Sequence, residues 1–189
     1  MEFMPTPSQT VGPFFHVAYP LTGSTEMVAR NDPDAVVISG TVFDGDGAPA
    51  SDAFVEFWQA NRAGRYAHPD DERQDVPLEE GFEGFGRCAT DDEGLYEFVT
   101  VKPGRVPGPG GGLQAPHIAV SVFARGLLKR VVTRIYWPDE PEANASDPIL
   151  SSVEDPRARE TLIARAVDGG GLRFDIHLQG EGETVFFDI

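Results

Sequence analysis

Leu172-Arg173-Phe174-Asp175-Ile176-His177-Leu178 alternates strictly, with Leu172, Phe174, Ile176 and Leu178 apolar and the residues between them polar. Successive side chains of an extended chain point to opposite faces, so this segment offers one face to a core and the other to water, as a half-buried strand does. Similar short runs, rich in β-branched and aromatic residues, recur at 36–43, 53–60, 95–101, 117–123, 131–137 and 184–189. Together they predict an all-β fold, an antiparallel β-sandwich with long loops. The 21 glycines and 16 prolines are scattered through the chain and leave no room for long helices. One short helix is expected over 156–165, with Ser152 as its cap, Asp155 near its positive end, Pro156 in its first turn, and Leu162 and Ile163 facing inward. Asp44-Gly45-Asp46-Gly47 reads as a strand connection, and residues 103–116 and 20–35 read as irregular. The expected organisation is a single domain over 1–189, with 1–35 as an N-terminal arm.

Composition excludes several classes of function. Fifteen Lys and Arg against 31 Asp and Glu give a formal charge of −16, which repels a polyanionic nucleic acid. A lone cysteine, Cys88, can form no internal disulfide and no Cys-rich zinc cage. Met1-Glu2-Phe3-Met4-Pro5 lacks a basic run leading into an apolar stretch, and no window has the roughly 20 apolar residues of a spanning helix. The expectation is a cytoplasmic chain with neither a nucleic acid nor a membrane as partner. Gly108 to Gly112 ends in no Gly-Lys-Ser/Thr and so makes no phosphate loop, and a calcium loop starting at Asp44 would need a glutamate where Val55 stands.

Among residues that could carry chemistry, His117 opens a strand in which a second histidine two places on could share a metal with it. That position is Ala119, which has no donor atom, and a hydrogen-bonded strand histidine is the commoner explanation. No Gly-x-Ser-x-Gly elbow is present, and acidic runs such as Asp70-Asp71-Glu72 are most simply solvated loops. Arg125, between a strand end and Gly126, could clamp a substrate carboxylate through two hydrogen bonds, although a surface ion pair explains it as well.

Thr6-Pro7-Ser8-Gln9-Thr10-Val11-Gly12-Pro13-Phe14, Trp58-Gln59-Ala60, Gly64-Arg65-Tyr66, Ala115-Pro116-His117-Ile118, Phe123-Ala124-Arg125-Gly126 and residues 179–188 follow one another in order. Over essentially its whole length the chain resembles the intradiol ring-cleaving dioxygenases, and within them the alpha type of chain that pairs with a homologous, iron-bearing beta chain. The resemblance implies a prealbumin-like β-sandwich, a hetero-oligomer of alpha/beta pairs, and cleavage of 3,4-dihydroxybenzoate by O₂ to 3-carboxy-cis,cis-muconate. It also implies that non-haem Fe(III), held by two tyrosines and two histidines, sits in the beta chain. The ligand positions fall here on Tyr66, Val106, His117 and Ala119, of which Val106 and Ala119 cannot coordinate. Two donors would leave Fe(III) mostly to water, so no catalytic iron is expected in this chain, and Tyr66 and His117 should hydrogen-bond each other or nearby backbone. Thr10, Gly12, Pro13 and Phe14 would wall the substrate pocket over the partner's iron, with Arg125 and then Arg134 as candidates for the ring carboxylate; Lys129 and Arg130 would extend their basic patch. Two alternatives stay open: a non-catalytic prealbumin-like binding or assembly module, suggested by Gly40-Thr41-Val42-Phe43-Asp44-Gly45, and a self-sufficient catechol dioxygenase using Tyr96, Tyr136 or His68 as replacement ligands.

Overall fold

The computed structural model describes residues 9–12 and 25–188. Among the described residues nine strands, β1 (Ala35–Phe43), β2 (Phe54–Trp58), β3 (Phe85–Ala89), β4 (Leu95–Val101), β5 (His117–Phe123), β6 (Val131–Tyr136), β7 (Arg165–Val167), β8 (Gly171–Arg173) and β9 (Ile176–His177), form two sheets. The first has the order β4-β1-β8-β7, with β9 also on β1, and the second has the order β3-β2-β5-β6. Pairing is antiparallel throughout except that β8 and β9 run parallel to β1. Period-two patterning places Ile38, Val42, Phe98, Leu172 and Ile176 of the first sheet against Val55, Phe57, Ile118, Val120, Val122 and Ile135 of the second. Phe57 and Phe98 stack across the interface with ring centroids 3.6 Å apart, and each fully buried side chain of this size contributes about 1.5–3 kcal/mol.

Several expectations need correction. The strand expected over 172–178 is two short strands, because the Asp175 carboxylate, not a main-chain carbonyl, accepts the Thr41 N–H at 3.0 Å. At the break the Phe174 carbonyl accepts a 2.5 Å hydrogen bond from the buried Tyr96 hydroxyl. A Cβ on Gly40 would stand 1.8 Å from that carbonyl, so only glycine admits the crossing. Among described residues, the run beginning at Thr184 makes a single bridge, Phe187 to Val132, and is also tied by two hydrogen bonds between Thr184 and His177 and by the Thr161 and Thr133 hydroxyls. The helix over 156–165 stops at Glu160; Asp155, not Ser152, caps it by accepting the Arg157 N–H, and Arg165 belongs to β7. That helix, α2 (Pro156–Glu160), is preceded by an unforeseen α1 (Pro141–Ser146). The strand β3 escaped notice because its inward positions are Gly86 and Cys88, which carry no β-branched signal. No helix among the described residues is long and apolar enough to cross a membrane.

Candidate functional site

The outward face of the second sheet holds most of the residues singled out from the sequence. In the register of β2, β5 and β6, Trp58 stands beside Ala119 and Ala119 beside Arg134, while His117, two residues earlier on the same face, stands beside Tyr136. Two loops cover this face. In the first, Asn61 Oδ1 accepts the N–H groups of Ala63 and Arg65, Gly64 packs its left-handed backbone (φ +82°) against Arg105, and Asp71 accepts the Tyr66 N–H at 2.9 Å. The Tyr66 ring thereby stacks on Trp58, with centroids 5.7 Å apart and planes 9° from parallel. In the second, Gln114 bonds Val106 through its N–H and Pro107 through its side chain, and Val106 lines, with Tyr66, a cleft of about 720 Å³. Trp58, His68, Asp70, Asp71, Glu72, Arg73 and Pro107 complete that cleft.

Asp147 anchors the same region. Fully buried, its carboxylate accepts the N–H groups of Ala115, Ile149 and Leu150 and faces the Tyr136 hydroxyl at 3.3 Å. His117 is 5% exposed, and its Nδ1 lies 2.8 Å from the Ala115 carbonyl oxygen, which can only accept, so Nδ1 carries the proton and Nε2 the lone pair. Burial, reinforced by the Arg134 guanidinium, pushes the imidazole down to about 4. Burial likewise raises the Tyr66 phenol, an effect that Arg134 and Arg73 oppose. Asp71, expected in a solvated acidic run, is instead clamped by Arg73, whose hydrogen bonds hold its carboxyl far below the usual carboxylate range.

These residues do not fit a ferric ion. Tyr66 and His117 offer one oxygen and one nitrogen, Val106 and Ala119 offer nothing, and a guanidinium stands beside them where a further positive charge would be repelled. Among the described residues no group of three or more His, Cys, Asp or Glu could hold a metal ion. The expected backbone bond of His117 is present, and no hydrogen bond joins it to Tyr66 among the described residues. The substitute ligands do not assemble: Tyr96 is buried in the opposing sheet, His68 lies at the cleft mouth edge-on to Trp58, and Tyr136 alone stands beside His117.

At the far end of β5, the Gly126 N–H donates to Thr10 Oγ1 at 2.8 Å, which brings Thr10 to the Arg125-Gly126 turn. Arg125 is 76% exposed, with one loose contact to Asp52 at 3.4 Å. Gly12 is exposed with open space around it, and Pro13 and Phe14 lie outside the described residues. Arg134 does not join this group. It pairs with Ala119, and at about 3.3 Å per residue the four steps from Ala119 to the end of β5 span about 13 Å. Gln114 and Asp147 went unnoticed in the sequence, where one sits in a glycine-rich loop and the other in an acidic stretch without pattern.

A family model described as dioxygenase matches residues 11–180. The chain belongs to the intradiol dioxygenase family. It is 43% identical to the protocatechuate 3,4-dioxygenase alpha chain of Pseudomonas putida, across 100% of this chain and 99% of that one. The alpha chain from Burkholderia cepacia is 42% identical over 97% of both, and the beta chain from the same organism is 41% identical over 80% of this chain and 67% of its own. Among solved intradiol dioxygenase structures, the dioxygenase domain of a carbohydrate-binding fusion protein from Streptomyces sp. SirexAA-E superposes with a TM-score of 0.57 at 26% identity, covering 94% of this chain and 99% of that one. The two-sheet architecture above is therefore that of an intradiol dioxygenase subunit.

Proposed function

We infer that the chain is the alpha subunit of a protocatechuate 3,4-dioxygenase, assembled with a homologous beta chain that carries the non-haem Fe(III). The reaction adds both atoms of O₂ to 3,4-dihydroxybenzoate and opens the ring between the hydroxyl-bearing carbons to give 3-carboxy-cis,cis-muconate. One observation carries this reading: the chain matches alpha chains from end to end, yet has Val106 and Ala119 where coordinating side chains would be needed. Its part in the reaction is to bind and orient. Thr10 and Gly12 belong to the wall over the partner's iron, and Arg125 receives the ring carboxylate. Support comes from the Thr10 bond to the Arg125-Gly126 turn and from the exposure of the guanidinium, whose ion pair with Asp52 is too loose and too wet to compete with a ligand. A cytoplasmic location accords with a single, buried thiol.

Expression alone and with the beta chain tests the assignment. The lone chain should purify colourless, poor in iron and inactive; the co-expressed pair should be iron-loaded, coloured by tyrosinate-to-iron charge transfer, and active. Stoichiometric iron and ring cleavage in the lone chain, or failure of the two chains to co-purify, would overturn it.

A further inference from the structure

We propose that the pocket between α2 and the β7–β8 pair is a binding site for a small oxyanion of two or more negative charges, a phosphate or a polycarboxylate, with Arg157, Arg165 and Arg173 as its donors. The chain holds 31 acidic and 15 basic side chains, yet this lining reverses the balance, with three arginines against two acids, Glu160 and Asp175. The register of β7 on β8 sets Arg165 directly opposite Arg173. Like charges so placed repel each other, and an anion between them offsets the repulsion. Asp175 supplies one negative charge: its Oδ1 accepts from Arg173 Nε at 2.7 Å and its Oδ2 from Arg165 Nη2 at 2.9 Å. One carboxylate shared by two guanidinium groups leaves a positive charge unmatched.

Two of the three donors are held in place. Arg173 is fixed a second time through Nη2, which donates to Thr41 Oγ1 at 2.7 Å, and its Nη1 has no acceptor among the described residues. Arg165 likewise keeps Nε and Nη1, and among the described residues the Arg157 guanidinium engages nothing. Guanidinium groups already locked by their neighbours lose little freedom when an anion arrives. A further donor is the Thr184 hydroxyl. Thr184 is 1% exposed and lines the pocket; its Oγ1 accepts the His177 N–H at 2.9 Å, and its own proton has no acceptor among the described residues. A buried O–H is ordinarily paired, and an oxyanion in the pocket would accept it. At about 290 Å³ the cavity lies at the lower end of the range for small-molecule sites, which suits a small ion. Glu160 does not reverse the preference, because it is exposed and screened by water and salt, whereas the half-buried Arg173 is screened less.

The test is calorimetric titration of the full chain with inorganic phosphate and with citrate, at an ionic strength matched by sodium chloride. At least one of the two should bind saturably, and which one binds tells a phosphate site from a polycarboxylate site. Arg157→Gln and Arg165→Gln, both at exposed positions, should each weaken that binding about tenfold, the loss expected of one charged hydrogen-bond donor. Glu160→Gln removes the opposing charge and should tighten it about twofold at low salt. The bound ion should also raise the urea midpoint of the wild-type chain, since only the folded state brings the three arginines together. Failure of both ions to bind the folded wild-type chain, or equal affinity in the wild type and both arginine variants, would overturn the proposal. The site needs no partner chain and no iron, so either result leaves the co-expression experiment free to stand or fall by itself.

Discussion

His117 keeps its proton on Nδ1 and its imidazole neutral, and this makes the fold sensitive to acid. With the folded group near 4 and the ordinary value at 6.5, the unfolded chain takes up a proton between these limits that the folded chain refuses. Stability is therefore complete above 6.5 and falls as the pH drops through the window, by up to about 1.4 kcal/mol per pH unit. Urea denaturation at about pH 7 and about pH 5 should show this slope, and His117→Gln should flatten it; an equal slope in the variant would remove His117 as its source. Arg125→Ala, at an exposed position, should leave stability unchanged while raising KM for 3,4-dihydroxybenzoate about ten- to a hundredfold in the assembled enzyme and affecting uncharged catechol far less. Equal losses on both substrates would deny the guanidinium its carboxylate. Cys88, buried in the core and with its thiol pushed up to about 12, should resist alkylation in the native chain and react only on unfolding, as intact-mass measurement would record.

Loops, rather than strands, set the geometry of the cleft, and two side chains hold them. Asp147 satisfies three main-chain donors from two segments, so Asp147→Ala leaves buried N–H groups unpaired and should cost about 3 kcal/mol in chemical denaturation. A smaller loss, under about 1 kcal/mol, would mean that water replaces the carboxylate. Gly64 has φ +82° and would set a Cβ 2.2 Å from the Arg105 carbonyl oxygen. This loop can therefore approach the 103–116 loop only through glycine, which is how Tyr66 and Val106 come to line one cleft.

On the scale of the whole molecule, the first sheet is closed by strands far apart in sequence: β1 is flanked by β4 on one side and by β8 and β9, some 130 residues later, on the other. Removing residues 169–189 strips Leu172, Phe174 and Ile176 from the core and bares one edge of β1. The truncated chain should lose its cooperative unfolding transition, and retention of a native-like transition by circular dichroism would show that the second sheet is sufficient. The charge of −16 acts at this scale too, because it opposes self-association and leaves recognition of an anionic substrate to individual arginines placed against it.

Most of the sandwich was legible because strands buried on one face must alternate, and burial does alternate over 95–98 and over 118–123. The absence of donors at Val106 and Ala119 is likewise a matter of side-chain chemistry, visible without any coordinates. What the chain could not announce is adjacency between residues that share no local pattern. That the run at 172–178 breaks depends on Gly40 and Tyr96, and that Arg134 stands with His117 and Tyr66 instead of with Arg125 depends on the β5–β6 register. Composition and periodicity thus determined the fold class and the charge, because these are properties of single residues and their spacing along the chain, and the resemblance to the intradiol dioxygenases located the missing ligands. Only the tertiary structure decided which arginine belongs to which end of β5, because that follows from strand pairing and loop closure across long separations, where the energies come from packing and buried hydrogen bonds rather than from local sequence.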